Sequence, residues 1–172
     1  MPARVAAGLT TPFGFGASFA SRERRAMIAR HLQRVDPTLD GLRLRRAVQE
    51  AFDSYAHYWV ESFRLPNLSA ATVERGFDVD GYENIVDGLE AGNGVILVLP
   101  HLGGWEWAGR WIAEQGHQIT VVVEQIDPPE LFDWFVELRS ALGMNVVPLG
   151  PGAGTTVMRA LKDNHVVCLL AE

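Results

Sequence analysis

A histidine and a glutamate stand five residues apart in the stretch LPHLGGWEW, residues 99–107. His101 follows an apolar run that ends in Pro100, and Glu106 lies between two tryptophans. A neutral imidazole is a base near neutral pH. A carboxylate that holds one ring nitrogen protonated leaves the other nitrogen to accept a proton. These residue types therefore suit the activation of a hydroxyl group as a nucleophile.

The spacing alone is a weak signal, because it also joins His31 to Asp36 in HLQRVD. His31 lies inside a predicted helix, where five residues turn the chain about 140° beyond one full turn. The two side chains then point apart. We interpret Asp36 as the end of that helix before Pro37, and not as a partner of His31.

The spacing from His101 to Glu106 instead crosses a predicted junction between a strand and a helix. Gly103 and Gly104 permit a tight turn with close approach of the backbone. A carboxylate in the first turn of the following helix also suits the positive end of the helix dipole. The residues alone leave two interpretations open, a catalytic pair or a histidine with a structural role at the junction.

The elements that position this junction alternate between strands and helices. Helices are predicted early in the chain and short apolar strands later, with amphipathic helices between the strands. The early elements are helices at 21–35, 42–64 and 81–91 and a short strand near 72–77; the later strands are at 94–100, 119–125, 145–149 and 165–172. This order indicates an α/β fold with a mostly parallel sheet flanked by helices on both faces and preceded by N-terminal helices. Ligands bind beyond the carboxyl ends of such strands, where His101 lies.

The composition suits one domain, because 172 residues of which 48% are hydrophobic can form one substantial core. We divide the domain into a basic helical part, 1–65, and an α/β part, 66–172, which we expect to be incomplete at its C-terminus. Residues 1–64 hold ten arginines and six acidic residues, which favours an anionic partner such as a membrane or nucleic acid. The single cysteine, Cys168, excludes a disulfide framework, and we expect it to be a buried apolar residue.

The box from His101 to Glu106, HLGGWE, resembles the His-x4-acid box of the glycerolipid and lipid A acyltransferase families. The wider run LPHLGGWEWAGRW is similar to the actinobacterial branch of these families that acylates phosphatidylinositol mannosides. The resemblance extends over most of the chain, including the arginine-rich helices and the stretch DSYAHYWVESFRLP. It implies an acyl-CoA-dependent O-acyltransferase that needs no metal and no other cofactor.

The resemblance also implies roles for individual residues. His101 would be the general base on a hydroxyl of a mannosyl phosphatidylinositol glycolipid, and Glu106 would orient its imidazole. Glu172 would be a further catalytic acid near the histidine. Arg139 matches the downstream arginine with which these families bind a substrate phosphate; the alternative is an ion pair with Glu137 on the same helix.

Glu124 ends a predicted strand and is a candidate ligand for the acceptor hydroxyl, or else a cap for the following helix.

The implied partners are a palmitoyl-like acyl-CoA, a glycolipid acceptor and the cytoplasmic face of the cell membrane, to which the protein would bind peripherally. No nucleic acid is implied. Two other functions stay open. One is acyl transfer to another lipid, such as a lysophospholipid or a lipid A precursor. The other is a non-enzymatic module that binds acyl lipids and in which His101 is structural.

Overall fold

A computed structural model describes residues 21–171. Residues 1–20 of the predicted basic helical part lie outside the described residues, and so does Glu172. The chain divides between residues 64 and 65 into two compact units. Among the helices of residues 21–171, none is both long enough and apolar enough to cross a membrane.

The first unit contains two helices in contact with each other, α1 (Arg22–Val35) and α2 (Gly41–Arg64). Asp36 follows α1 directly, and its Oδ1 accepts hydrogen bonds from the backbone N–H and the hydroxyl of Thr38 at 2.9 and 2.6 Å. These bonds, the hydroxyl bond foremost, lower the pKa of Asp36. The prediction that Asp36 ends the helix is therefore confirmed, and its carboxylate stabilises the turn that follows.

The second unit begins with a 3₁₀ turn, Leu65–Asn67, and continues as an α/β fold. Its elements, in chain order, are α3 (Ala70–Arg75), α4 (Tyr82–Glu90), β1 (Val95–Pro100), α5 (Trp105–Glu114), β2 (Ile119–Val123), α6 (Pro129–Ala141), β3 (Met144–Pro148), α7 (Ala153–Lys162) and β4 (Val166–Ala171). The predicted alternation of strands and helices is confirmed. Helices precede the first strand, as expected.

The four strands form one parallel sheet in the order β1-β4-β2-β3. The connections from β1 to β2 and from β2 to β3 advance in one direction across the sheet, and the connection from β3 to β4 returns. Right-handed crossovers then place α5 and α6 on one face and α7 on the other. The predicted α/β class with a covered parallel sheet is thus confirmed.

The core of this unit follows from the strand order. Val166 and Val167 of the central strand β4 are completely buried, whereas Ile96 and Val98 of the edge strand β1 are exposed. Leu97, Cys168 and Val121 form one row across three strands. In a parallel ladder such a row points to one face of the sheet.

One predicted element is wrong, because residues 72–77 do not form a strand. The segment Ala70–Arg75 is the helix α3, which follows Ser69 in an extended conformation. The β-branched Thr72 and Val73 suggested a strand. Here they lie in one helical turn, and Val73 is completely buried.

The amino ends of β1 and β4 are connected by Asn164, which has a left-handed backbone with φ 62°. Its side-chain Oδ1 accepts a hydrogen bond from Gly94 N–H at 3.0 Å, and its Nδ2 donates to the carbonyl of Leu89 at 2.9 Å. Gly94 itself has φ 68°, and a Cβ at this position would lie 2.8 Å from the backbone oxygen of Leu161. Glycine is therefore required where the chain enters β1.

Candidate active site

The candidate active site lies at the carboxyl end of β1. His101 directly follows Pro100, the last residue of that strand, and is exposed. The next residue, Leu102, donates its N–H to the carbonyl of Pro100 at 2.8 Å. Gly103 has φ 61°, in the region that favours glycine. The local sequence thereby turns the chain from β1 into α5 within four residues.

Glu106 is the second residue of α5 and is only 1% exposed. A carboxylate in the first turn of a helix faces the partial positive charge of the helix N-terminus. Burial of a charge is nevertheless costly unless hydrogen bonds and an opposite charge compensate it. The contacts of Glu106 must therefore supply this compensation.

Arg139, near the end of α6, supplies an opposite charge. Its Nη2 donates to Oε1 of Glu106 at 3.1 Å, and the arginine side chain is 11% exposed. The two helices are neighbours on one face of the sheet, which brings together residues that are 33 positions apart in the sequence. Arg139 thus forms its ion pair with Glu106 of the predicted pair and not with Glu137 on its own helix.

Two aromatic rings hold the guanidinium of Arg139. Its Cζ lies 4.6 Å from the ring centroid of Trp105 and 4.7 Å from that of Phe135. A cation near an aromatic face is attracted by the ring quadrupole, and burial strengthens the attraction. We call Trp105, Arg139 and Phe135 the arginine stack; it fixes the cation that pairs with Glu106.

The other long side chains of α5 attach this helix to the start of the unit. Trp107 Nε1 donates to the carbonyl of Val73 at 3.2 Å, and Trp111 Nε1 donates to Oε2 of Glu74 at 2.7 Å. Arg110 donates to the carbonyls of Leu65 and Leu68 and pairs with Glu114. The run WEWAGRW therefore points its side chains in several directions, and each contact helps to fix the helix that carries Glu106.

An apolar cavity of about 310 Å³ lies beneath α5. Its walls come from α5, from the sheet row of Leu97, Cys168 and Val121, and from residues 77–85. Leu99 and Trp105 also line it, and these two residues flank the turn that contains His101. Small-molecule sites are typically apolar clefts or cavities of this size with few polar groups.

Comparisons with known proteins identify the family of the chain. A family model described as bacterial lipid A biosynthesis acyltransferase matches residues 1–172. The chain belongs to the bacterial lipid A biosynthesis acyltransferase family. The predicted resemblance to acyltransferases is thus confirmed at the level of the family.

Three relatives of this chain carry the same name. A phosphatidylinositol mannoside acyltransferase of Mycolicibacterium smegmatis (strain ATCC 700084 / mc(2)155) is 35% identical over 176 residues, which cover 100% of this chain and 57% of the relative. Proteins of the same name from two strains of Mycobacterium tuberculosis, CDC 1551 / Oshkosh and ATCC 25618 / H37Rv, are 36% identical over 127 residues, 71% of this chain and 40% of theirs. The chain spans about half the length of the curated relatives that it matches.

Two predicted site residues remain, Glu124 and Glu172. Glu124 is exposed and follows the last residue of β2, so it lies at the carboxyl edge of the strands. Ala171, the last residue of β4, pairs with Pro100. The predicted acid Glu172 lies outside the described residues. Within residues 21–171, no group of three or more His, Cys, Asp or Glu side chains is arranged to hold a metal ion.

Cys168 is buried, as predicted, in the wall of the apolar cavity. Burial raises the pKa of its thiol to about 11, because the apolar surroundings disfavour the thiolate. Cys168 is therefore a neutral thiol at physiological pH. This is the environment of a small apolar residue and not of a nucleophile.

Sequence reasoning missed the arginine stack and the contact between Tyr82 and His117. Tyr82 Oη and His117 Nε2 are 2.6 Å apart, although the residues are 35 positions apart in the sequence. One signal for the stack was available, since two consecutive right-handed crossovers place α5 and α6 side by side. No local pattern pointed to the partner of Tyr82.

Proposed function

We propose that the complete protein transfers a long-chain acyl group from acyl-CoA to a hydroxyl of a mannosyl phosphatidylinositol glycolipid. The observation that carries this proposal is the exposed position of His101 in the turn between β1 and α5. Helix α5 carries the buried Glu106–Arg139 pair, and Leu99 and Trp105, on either side of the turn, line the apolar cavity. The name that the relatives share supports the choice of acceptor. Because the family is described as lipid A biosynthesis acyltransferases, lipid A precursors are a second class of acceptor to be tested.

In the proposed reaction, His101 accepts the proton of the acceptor hydroxyl. The hydroxyl oxygen bonds to the carbonyl carbon of the thioester, and the carbon–sulfur bond then breaks. The imidazolium returns the proton to the departing coenzyme A thiolate. General-base assistance of this kind contributes typically about 10²–10⁴-fold to the rate.

Glu106 is proposed to orient the imidazole of His101 and to stabilise the imidazolium. The supporting observation is that Arg139 of the neighbouring helix α6 pairs with this carboxylate at 3.1 Å and so holds it in place. Since Nη2 of Arg139 is engaged by Glu106, we propose a positioning role for Arg139, and phosphate binding would fall to its remaining donors. Glu124 and Glu172 remain proposed contributors, as acceptor ligand and further acid.

The cavity is proposed to hold the acyl chain of the donor. Its lining is almost wholly apolar, and it reaches Leu99 and Trp105 beside the histidine turn. Burial of apolar surface away from water contributes about 25 cal/mol per Å² of favourable free energy, so such a space favours a hydrocarbon chain. The thioester carbonyl would then lie near His101 with the chain directed away from the turn.

The first unit is proposed to bind the cytoplasmic face of the membrane peripherally. Its described helices expose several arginines, each of which adds about 1 kcal/mol of attraction to an anionic leaflet. The exposed arginines are Arg22, Arg24, Arg30, Arg34, Arg43, Arg45 and Arg46. Met27, Leu42 and Phe63 are apolar and exposed in the same unit, as interfacial helices require.

The test is an acyl-transfer assay of the full-length protein with radiolabelled palmitoyl-CoA and a panel of acceptors. The panel contains a phosphatidylinositol mannoside, a lysophospholipid and a lipid A precursor. His101→Ala is expected to abolish transfer, and His31→Ala is the matched control, because His31 has the same spacing to an acid but lies on α1. Full activity of the His101→Ala variant would exclude the mechanism. Acyl-lipid binding without turnover, unchanged by His101→Ala, would indicate a binding module.

A further inference from the structure

The apolar cavity has two ends along α5. Trp105 lies at the end next to the histidine turn, and Ile112 lies seven residues further along the helix. At 1.5 Å per residue these two positions are about 10 Å apart. Ala108 lines the cavity between them. A chain that enters beside His101 therefore extends along α5 towards the amino ends of the strands.

Tyr82 lines the cavity at the end far from His101. Its ring contacts that of Trp111 edge to face, with the centroids 5.1 Å apart. Its hydroxyl meets Nε2 of His117 at 2.6 Å. His117 lies two residues before the start of β2, at the amino edge of the sheet, whereas His101 follows the carboxyl end of β1. These two contacts fix the ring across the far end of the cavity.

We propose that the ring of Tyr82 sets the longest acyl chain that the protein accepts. This inference rests on the proposed function, in which the cavity holds the acyl chain of the donor. A chain that reaches Tyr82 must stop or displace a ring held by both Trp111 and His117. Well-packed apolar pockets discriminate a single methylene by roughly 10–200-fold, so one fixed ring is sufficient to define a length limit.

The experiment measures kcat/KM of the full-length protein for saturated acyl-CoA donors from decanoyl to eicosanoyl. Tyr82→Ala opens the far end and is expected to raise kcat/KM for chains longer than the preferred one by about tenfold or more, relative to that chain. Ala108→Leu fills the middle of the cavity and is expected to shift the preference to shorter chains. Tyr82→Phe keeps the ring and is expected to keep the wild-type length preference.

A second readout separates the inference from the proposed function. Trp105 and Trp111 line the cavity, so their fluorescence reports the binding of free fatty acids of the same lengths without any turnover. If the wild-type protein transfers no acyl group, the proposed function fails, and the binding profiles still test the length limit. Equal length profiles for wild type, Tyr82→Ala and Ala108→Leu would overturn the inference, as would an equal shift in Tyr82→Phe. If Tyr82→Ala does not fold, Tyr82→Leu replaces it.

Discussion

The guanidinium of Arg139 donates from Nη2 to Oε1 of Glu106 at 3.1 Å, and both side chains are largely buried. The pair joins the first turn of α5 to the last turn of α6. A buried ion pair is weak evidence for net stability, but loss of one partner leaves a costly uncompensated charge. The pair therefore couples the stability of the second unit to the geometry of its candidate site.

Removal of one member of this pair is expected to cost more than removal of both. Arg139→Leu leaves Glu106 buried without the ion pair and should lower the free energy of unfolding by about 3–5 kcal/mol. The double variant Arg139→Leu/Glu106→Leu should lose clearly less than the sum of the two single variants. Urea unfolding of the four proteins measures the coupling. Strictly additive losses would show that the pair is not energetically coupled.

The arginine stack is expected to support activity through Phe135. Phe135→Leu removes one of the two aromatic faces and should cost about 1–2 kcal/mol of stability. It should also lower kcat about tenfold, since Arg139 then holds Glu106 less well, with little change in KM. Phe132→Leu, a half-buried change on the same helix outside the stack, is the control. Similar kinetics for the two variants would contradict a specific role of the stack.

The buried thiol of Cys168 is expected to make stability fall at alkaline pH. Burial raises its pKa from 9.0 to about 11, so the unfolded chain releases this proton first as the pH rises. The free energy of unfolding then falls by up to about 3 kcal/mol between pH 9 and 11 and does not change below pH 8. Urea unfolding of wild type and Cys168→Val across this range isolates the contribution. Parallel curves for the two proteins would show that the thiol has the same pKa in the folded and the unfolded chain.

Gly94→Ala is expected to destabilise the second unit by about 2 kcal/mol or more. The new Cβ would meet backbone atoms of Leu161 at 2.8 Å, and the residue would keep a φ of 68° that disfavours alanine. Gly150→Ala is the matched control, because a Cβ there meets no atom within 4 Å. Thermal unfolding of the two variants gives the comparison. An equal melting temperature would mean that the backbone near Gly94 adjusts freely.

Much of the fold can be predicted from the sequence because its signals are local. The fourth strand, predicted at 165–172, is Val166–Ala171, and the helix predicted at 42–64 is Gly41–Arg64. Continuous Val, Ile and Leu runs define buried parallel strands, and glycine or proline ends the helices. The segment 72–77 was predicted wrongly because two β-branched residues outweighed the helix-forming residues around them.

The partner of Arg139 could not be found in the same way. The sequence offers two partners for Arg139, a substrate phosphate and the nearby Glu137. Glu106 becomes a neighbour only because the strand order places α5 and α6 side by side, and the strand order is a property of the whole sheet. The box around His101 was recognisable because the turn, the glycines and the tryptophans are contiguous. Contacts between distant helices carry no such local signal.

The hydrogen bonds of Asn164 have a consequence for how this fold tolerates change. They tie the entrances of β1 and β4 to each other and to the end of α4, so the register of this strand pair is set at the amino edge. The opposite edge carries His101 and Glu124, in the connections that follow β1 and β2. Substitutions in those connections are therefore expected to leave the sheet intact, so the residues of the carboxyl edge can vary while the framework stays the same.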